Sequence, residues 1–362
     1  MQNGYFKKIK LLDVIDNKNN NFNLIRMLAA AAVIISHSYA LALGGRGFEP
    51  VNNFLGISLG EIAVNIFFIT SGLLVCRSLC FRSNLTTFIM SRCLRIYPAL
   101  IVSIVFCVCL GALLSTYSIS EYMVDNELFN FIFYNGTMVL SDAQELPGLF
   151  YNAPYDRAVN GSLWTLPWEL RMYLVLLGLG AALTLSKHLS LTVNFIPSAI
   201  LIMAIVSFAF YMGFHFSNNF HWFYYKFFRF ATVFFLGGSL YVLRRYIVMD
   251  IKWLLYALVA LVLAYLVNED TFFVAFIMLS PYIVLCLAYM PQGSILNYNK
   301  LGDYSYGTYI YAWPIQQTLA VTLVGITPYQ MMAYAFVLTL LLATFSWHLI
   351  EKPSMKLKRH FT

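Results

Sequence analysis

The chain has 362 residues, of which 60% are hydrophobic, 17% aromatic and only 11% charged, and its mean hydropathy is +0.71. Soluble domains carry about a quarter charged residues, so this composition excludes a soluble protein and indicates a membrane protein. The net charge of +7 does not indicate nucleic-acid binding, because the Lys and Arg residues lie between apolar segments rather than in one patch. The six cysteines have no metal-ligand spacing, so no metal site is predicted.

Repeated apolar stretches of about 20 residues, the length that a ~30 Å hydrocarbon core requires, predict an all-α polytopic membrane protein with about ten transmembrane helices. The predicted spans are residues 22–43, 60–81, 97–117, 163–185, 191–212, 223–243, 252–268, 271–290, 304–325 and 329–350. Most of the 23 Lys and Arg residues lie on the side of the N-terminus, so the positive-inside rule places both termini in the cytosol. The predicted organisation is a cytosolic segment (1–21), a membrane domain (22–351) and a basic cytosolic tail (352–362).

The first span carries two ionisable residues, Arg26 and His37. Eleven residues make about three helical turns, so both side chains share one face and lie roughly 16 Å apart along the axis. Ionisable groups inside a membrane are costly and usually serve a function, and a histidine can take a proton from a hydroxyl or carry an acyl group. The alternative is a core histidine that is hydrogen-bonded to a neighbouring helix.

Two arginines, Arg92 and Arg95, precede the third span and point the same way if helical. Guanidinium groups bind phosphates with two parallel hydrogen bonds, so this pair is predicted to bind a nucleotide-bearing cofactor at the cytosolic face. The alternative is that they only mark a cytosolic flank.

The outer loop that follows the third span, residues 118–161, is rich in aromatic, Asn, Asp and Gly residues, which suit a carbohydrate or an interfacial aromatic belt. Its apolar middle, 128–140, is too short to cross and predicts an interfacial or re-entrant segment.

The entry to the fourth span contains Trp164, Trp168 and Glu169. The tryptophans are one turn apart and are predicted to contact the substrate. Glu169 is expected at about the depth of His37, where a carboxylate can orient an imidazole or an acceptor hydroxyl. The alternative is an ion pair between Glu169 and an arginine on another span.

Tyrosines open the ninth span, and Tyr306 is predicted to line the cofactor entrance; the alternative is that they are interfacial anchors. The span-ten residues His348 and Glu351 are three apart, and a simple contact between them that closes the bundle is expected.

Six motifs in order resemble those of the acyltransferase-3 family of bacterial membrane acyltransferases. The motifs are Arg26 and His37 with ten residues between them, FFITSG at 67–72, RCLRIYP at 92–98, GSLWTLPWE at 161–169, YSYGTYIY at 304–311 and IEKP at 350–353. The match covers nearly the whole chain. It departs from many members after the span-nine tyrosines, where Ala312, Trp313 and Pro314 stand and a histidine is usual, so no second catalytic histidine is assigned.

The resemblance implies a multi-pass enzyme of the bacterial inner membrane that uses an acyl-CoA, usually acetyl-CoA, from the cytosol. The implied acceptor is a sugar hydroxyl of a surface glycan, an O-antigen or a lipid-linked oligosaccharide at the outer face. By position, His37 is the essential histidine, Arg26 its companion, and Arg92 and Arg95 the pair that contacts coenzyme A.

Two rival functions remain open from the sequence. A glycolipid transporter or flippase would use the intramembrane charges as a substrate path and would need no acyl-CoA. An enzyme that transfers a different acyl group, such as succinyl, would need an extra cation near His37, and Arg46, Arg171 and Arg229 are the candidates.

Overall fold

The structure, a computed structural model, describes residues 8–81, 85–138, 144–155, 157–188, 195–217 and 221–361. Apart from two short paired strands, the regular secondary structure in these ranges is helical. The helices are α1 (Leu11–Val14), α2 (Phe22–Leu43), α3 (Pro50–Leu55), α4 (Leu59–Phe81), α5 (Leu85–Leu114), α6 (Ile119–Val124), α7 (Asn126–Thr137), α8 (Leu166–His188), α9 (Ile196–Phe216), α10 (Trp222–Val242), α11 (Ile251–Val267), α12 (Glu269–Tyr289), α13 (Ser305–Thr322), α14 (Pro328–Ser346) and α15 (Lys352–Lys356). The antiparallel strands are β1 (Ile9–Lys10) and β2 (Val248–Met249). The predicted all-α fold is confirmed.

A helix lies at each of the ten predicted spans. Among the described residues, seven helices are long and apolar enough to cross a membrane: α2, α4, α5, α8 with the turn before it, α9, α12, and α14 with its continuation. The apolar helix α11 has 17 residues. The helices at the other two predicted spans, α10 and α13, are more polar. The first carries Lys226 and Arg229, and the second carries Gln316 and Gln317. The chain is therefore a multi-pass membrane protein.

Several predicted segments lie partly outside the described residues. The N-terminal segment 1–21 lacks residues 1–7, and the span 191–212 lacks 191–194. The outer loop 118–161 lacks 139–143 and 156, and the tail 352–362 lacks 362. The described part of the apolar loop segment 128–140 lies mostly in α7.

Local sequence explains the sharpest helix boundary. The polar residues Asn268, Glu269 and Asp270 predict a tight turn between two spans, and α11 ends at Val267 while α12 begins at Glu269. The Asn268 side chain accepts a hydrogen bond from the backbone N–H of Thr271, which satisfies one of the unpaired donors at the start of α12.

The described residues fall into two compact units. The first unit comprises the described residues within Met1–Arg26, Val64–Phe88 and Arg171–Leu301, and the second comprises those within Met27–Ala63, Ile89–Leu170 and Gly302–Thr362. Most of the predicted site residues, including His37, Glu169 and Arg95, belong to the second unit, whereas Arg26 belongs to the first.

In the first unit, α4 and α10 touch through glycines. A Cβ atom on Gly72 would overlap the carbonyl oxygen of Phe234, and one on Gly237 would overlap that of Ile69. The two backbones are therefore in direct contact, as small residues allow in membrane helices. Nearby, the hydroxyls of Ser71 and Tyr173 are 2.9 Å apart. The 67–72 motif thus contains the contact residues of a helix crossing.

We expect Gly72→Ala to destabilise the protein by about 1–3 kcal/mol or more, because the added methyl group meets backbone that cannot rotate away. The measurement is the apparent melting temperature of the purified protein in detergent. Gly178→Ala on α8 is the matched control, since a Cβ atom there meets nothing within 4 Å. Equal melting temperatures for the two variants would contradict the close crossing.

Candidate active site

The second unit is built around α13, a polar helix buried on every side. All residues from Ser305 to Gln317 are buried, and seven of them carry hydroxyl or amide groups: Ser305, Tyr306, Thr308, Tyr309, Tyr311, Gln316 and Gln317. A helix without an exposed stripe is normally apolar, and polar groups at membrane depth usually face the interior for a function. The residues in contact with α13 therefore define the candidate site.

His37 of α2 packs against Trp313 of α13. The ring centroids are 4.6 Å apart and the rings are nearly perpendicular, at 78°. The His37 side chain is half-buried, and its Nδ1 atom is buried with no hydrogen-bond partner among the described residues. A nitrogen that no protein group occupies is available to a ligand.

Residues at the end of the outer loop fix the indole of Trp313. Its N–H donates to the carbonyl of Ala158 at 2.8 Å, and the ring of Tyr155 lies 6.3 Å away, centroid to centroid. A Cβ atom on Gly161 would lie 2.7 Å from the indole carbons. Glycine at 161 is therefore required by the close approach of the ring, which explains the start of the 161–169 motif.

Asn160 compensates for a helix bond that Pro314 cannot make. Proline has no N–H, so the carbonyl of Ile310, four residues earlier, has no α-helical donor. That carbonyl accepts a hydrogen bond from the Asn160 Nδ2 group at 2.8 Å and another from the Ser103 hydroxyl at 3.4 Å. Asn160 is buried, and its Oδ1 atom accepts from the backbone N–H of Ser162. One amide thus links α13 to the turn before α8.

We expect Asn160→Ala to destabilise the protein by about 1–3 kcal/mol, because it leaves buried polar groups without partners. Pro314→Ala supplies an N–H to Ile310, so in that background the cost of Asn160→Ala should be smaller. A double-mutant cycle of melting temperatures measures this coupling. Additive effects of the two substitutions would show that the Ile310 carbonyl does not link them.

Gln316 joins α13 to the turn of α2 that carries His37. Its Nε2 group donates to the carbonyl of Ile34 and to the hydroxyl oxygen of Ser38, both at 2.8 Å. Gln316 is fully buried, and its Oε1 atom has no partner in the part of the chain that the structure describes. The amide lies one turn beyond Trp313 on α13.

Arg46, in the 3-10 turn after α2, is the cation near His37. Its Nε donates to the Tyr155 hydroxyl at 2.6 Å, its guanidinium lies over the Tyr155 ring at 5.9 Å, and it acts electrostatically on His37. The two other cations considered from the sequence, Arg171 and Arg229, belong to the first unit.

Glu169 lies near the first turns of α13. Its carboxylate acts electrostatically on Tyr306 and Tyr309. The predicted position of Glu169 at about the depth of His37 stays a prediction. The hydroxyls of Thr165 and Tyr309 are 2.7 Å apart.

The tryptophans predicted to contact substrate are close to Glu169 in the sequence. Trp168 is buried and Trp164 is half-buried. Their predicted contact with substrate stays a prediction, as does the role of Glu169.

Arg95 lies in a buried ion network. It forms ion pairs with Asp303 and, at 3.7 Å, with Glu351, and its guanidinium lies over the Tyr306 ring at 5.9 Å. The structure thus brings together two of the residues predicted to bind the cofactor, Arg95 and Tyr306. Arg92 is half-buried, and its Nε donates to the Ser91 hydroxyl at 3.4 Å.

Glu351 reaches Arg95 from a π-helical turn, Trp347–Glu351, that follows α14. Its other carboxylate oxygen accepts from Ser346, five residues earlier, at 3.1 Å. His348 lies 3.2 Å from the Tyr304 hydroxyl. The expected contact between His348 and Glu351 stays a prediction, and the π turn gives these two residues a spacing that differs from the α-helical one.

Arg26 lies in the first unit, with its guanidinium 5.8 Å from the centroid of the Phe67 ring. Its sequence-predicted partnership with His37 stays a prediction. The sequence analysis gave no role to four residues that shape the candidate site: Asn160, Trp313, Gln316 and Asp303. Pro314 inside a predicted span was a signal for the first, since it predicts a carbonyl that needs a donor.

Comparisons with known proteins converge on one family. A family profile described as an acyltransferase domain matches residues 19–350. The chain is 30% identical over 346 residues to an O-acetyl transferase of Shigella phage Sf6. The matched region covers 93% of this chain and 96% of the phage protein. It is 28% identical over 373 residues to nodulation protein 10 of Rhizobium leguminosarum bv. viciae, and that matched region covers 94% of both proteins. No solved structure matches the chain.

Proposed function

The chain belongs to the acyltransferase-domain family of membrane proteins, and we propose that it transfers an acetyl group from acetyl-CoA to a hydroxyl of a surface polysaccharide or O-antigen. The acetyl group is proposed because the phage relative carries the name O-acetyl transferase. The proposed location is the cytoplasmic membrane of a bacterium, with the donor in the cytosol and the acceptor at the outer face.

The observation that carries the proposal is the environment of His37. Transfer of an acyl group to an alcohol needs a base that removes the hydroxyl proton, and histidine is the residue whose ordinary pKa suits that task. The buried Nδ1 atom of His37 has no partner among the described residues, and Trp313 holds the ring on one side.

In the proposed reaction, the alcohol oxygen attacks the thioester carbon as His37 takes the hydroxyl proton. The carbon–sulfur bond breaks, the proton passes to the leaving thiolate, and the products are the ester and free coenzyme A. The alternative route forms an acyl-histidine first, and the alcohol then attacks that intermediate. Both routes balance with the same substrates and products.

The donor side of the site is proposed at Arg92, Arg95 and Tyr306. The phosphates of coenzyme A cannot enter hydrocarbon, so they need cations near the membrane surface. Because Asp303 and Glu351 already offset the charge of Arg95, Arg92 is the better candidate for direct phosphate contact.

The acceptor side is proposed near the outer loop. A cavity of about 480 Å³ is lined by Tyr117, Glu121, Val124, Asp125 and Asn126. An aromatic ring with carboxylate and amide groups suits a sugar, which can stack on the ring and hydrogen-bond through its hydroxyls. We propose this open surface pocket as a docking place for the polysaccharide.

A succinyl donor remains the second candidate, and Arg46 favours it. A cation that acts electrostatically on His37 can pair with the free carboxylate of a succinyl group. Under this alternative, Arg46→Gln would raise the KM for succinyl-CoA and leave that for acetyl-CoA unchanged.

Mass spectrometry of surface glycans from cells with and without the gene tests the proposal. The expected difference is one acetyl group per repeating unit, restored by the wild-type gene. A succinyl increment would change the acyl group, and glycans of equal mass would overturn the proposed transfer. A flippase would instead change the amount of glycan that crosses the membrane without acyl-CoA, which reconstituted vesicles would show.

A further inference from the structure

Three residues linked to Trp313 each have a buried polar atom with no hydrogen-bond partner among the described residues: His37 Nδ1, Ser162 Oγ and Gln316 Oε1. Ser162 and Gln316 are fully buried. Leaving a buried polar group unpaired costs about 1–3 kcal/mol, so several such atoms in one region indicate a partner that is not part of the protein.

Each of the three residues contacts Trp313 or is linked to it through a neighbour in the chain. The His37 ring packs on Trp313, and a Cβ atom on Gly161, the residue before Ser162, would lie 2.7 Å from carbons of the same indole. Gln316 follows Trp313 by one helical turn and bonds to Ser38, the residue after His37. All of them belong to the second unit.

The orientation of the Gln316 amide follows from its partners. The carbonyl of Ile34 can only accept a hydrogen bond, so the NH₂ group and not the oxygen of Gln316 must face it. The unpaired Oε1 atom is therefore an acceptor with a fixed direction. A neutral His37 offers a second acceptor, and the Ser162 hydroxyl can donate or accept.

We infer that Ser162 and Gln316 bind the acceptor alcohol beside His37. The inference rests on the proposed function and names two ligands for one of its substrates. The two acceptor atoms, His37 Nδ1 and Gln316 Oε1, and the Ser162 hydroxyl together suit a neutral ligand that has adjacent hydroxyl groups, as in a sugar. They do not match a carboxylate or phosphate, which brings acceptors only and would be repelled.

Ser162→Ala tests the inference cleanly, because the removed hydroxyl bonds to nothing in the described protein. The melting temperature of the variant should equal or exceed that of the wild type, since an unpaired buried hydroxyl is lost. The KM for the acceptor should rise about ten-fold, the effect of one hydrogen bond to substrate, while the KM for acetyl-CoA stays unchanged. The acceptor probe is surface polysaccharide extracted from cells that lack the gene.

Ser103→Ala is the matched control. Ser103 is equally buried, but its hydroxyl donates to the Ile310 carbonyl. Its loss should lower the melting temperature and leave the KM for the acceptor unchanged. Ser162→Cys, which nearly keeps the side-chain volume with a weaker hydrogen-bonding group, should fall between the wild type and Ser162→Ala.

Two results would overturn the assignment. One is an unchanged KM for the acceptor in Ser162→Ala; the other is a rise only in the KM for acetyl-CoA, which would assign the hydroxyl to the donor. Failure of the proposed function is a separate outcome, because the wild-type protein itself would then transfer no acetyl group to the polysaccharide.

Discussion

His37→Gln will reduce acetyl transfer by at least about 100-fold, the lower end of what a general acid–base group contributes. Glutamine keeps much of the side-chain size but cannot take a proton at neutral pH. Stability should fall by only about 0.5–1.5 kcal/mol, the worth of the ring contact with Trp313, since the Nδ1 atom makes no hydrogen bond to the described protein. The measurement is transfer of labelled acetyl groups in membrane vesicles, together with the melting temperature in detergent.

The control for this experiment is His360→Gln. His360 is exposed near the C-terminus, so its replacement should change neither activity nor melting temperature. Activity of His37→Gln within a few-fold of wild type would remove His37 from the chemistry and would leave the proposed mechanism without a base.

Arg95→Ala will reduce the amount of folded protein in the membrane severely. The side chains of Asp303 and Glu351 are 9% and 1% exposed, and without Arg95 their charges would remain buried with that ion-pair partner gone. Removing one member of a buried ion pair costs about 3–5 kcal/mol, a large part of the stability of a typical domain. Fluorescence-detected gel filtration of detergent extracts measures the folded fraction.

A neutralised network separates structure from cofactor binding. The triple variant Arg95→Met, Asp303→Asn, Glu351→Gln buries no charge at these positions, so it should recover much of the lost folded fraction. If Arg95 also contacts coenzyme A, the recovered protein will show a raised KM for acetyl-CoA. A normal folded fraction for Arg95→Ala alone would contradict the structural role.

Arg92→Met provides the comparison on the same helix. Arg92 is half-buried, so its replacement should cost less stability than that of Arg95. A raised KM for acetyl-CoA in this variant, with melting temperature near that of the wild type, would support phosphate binding there.

The helices could be predicted because the hydrophobic length of a span is a strong signal. The first predicted span, 22–43, coincides with α2, and the turn at Asn268 lies where its polar residues predict it. The helix at the third predicted span, 97–117, begins earlier than the span. This helix, α5, begins at Leu85, since the basic residues Arg92 and Arg95 continue the helix rather than end it. Charge marks where a membrane ends and not where a helix ends.

The candidate site was only partly predictable. An ionisable residue such as His37 stands out in an apolar span, but the indole that holds it looks like any interfacial tryptophan. Asp303 and Glu351 are far apart in sequence, so nothing local predicts that both pair with Arg95. The π turn before Glu351 depends on tertiary contacts and has no sequence signal of its own.

The polarity of α13 has a consequence for biogenesis. A segment with two glutamines and a proline is a poor substrate for lateral release from the translocon into lipid. α14 is more apolar, and at Gly307 it approaches α13 so closely that an added Cβ would lie 2.9 Å from the Cα of Ala343. The two should therefore partition into the bilayer as one helical hairpin. A nascent chain truncated after Thr322 is expected to leave α13 outside the hydrocarbon, where glycosylation mapping would detect it.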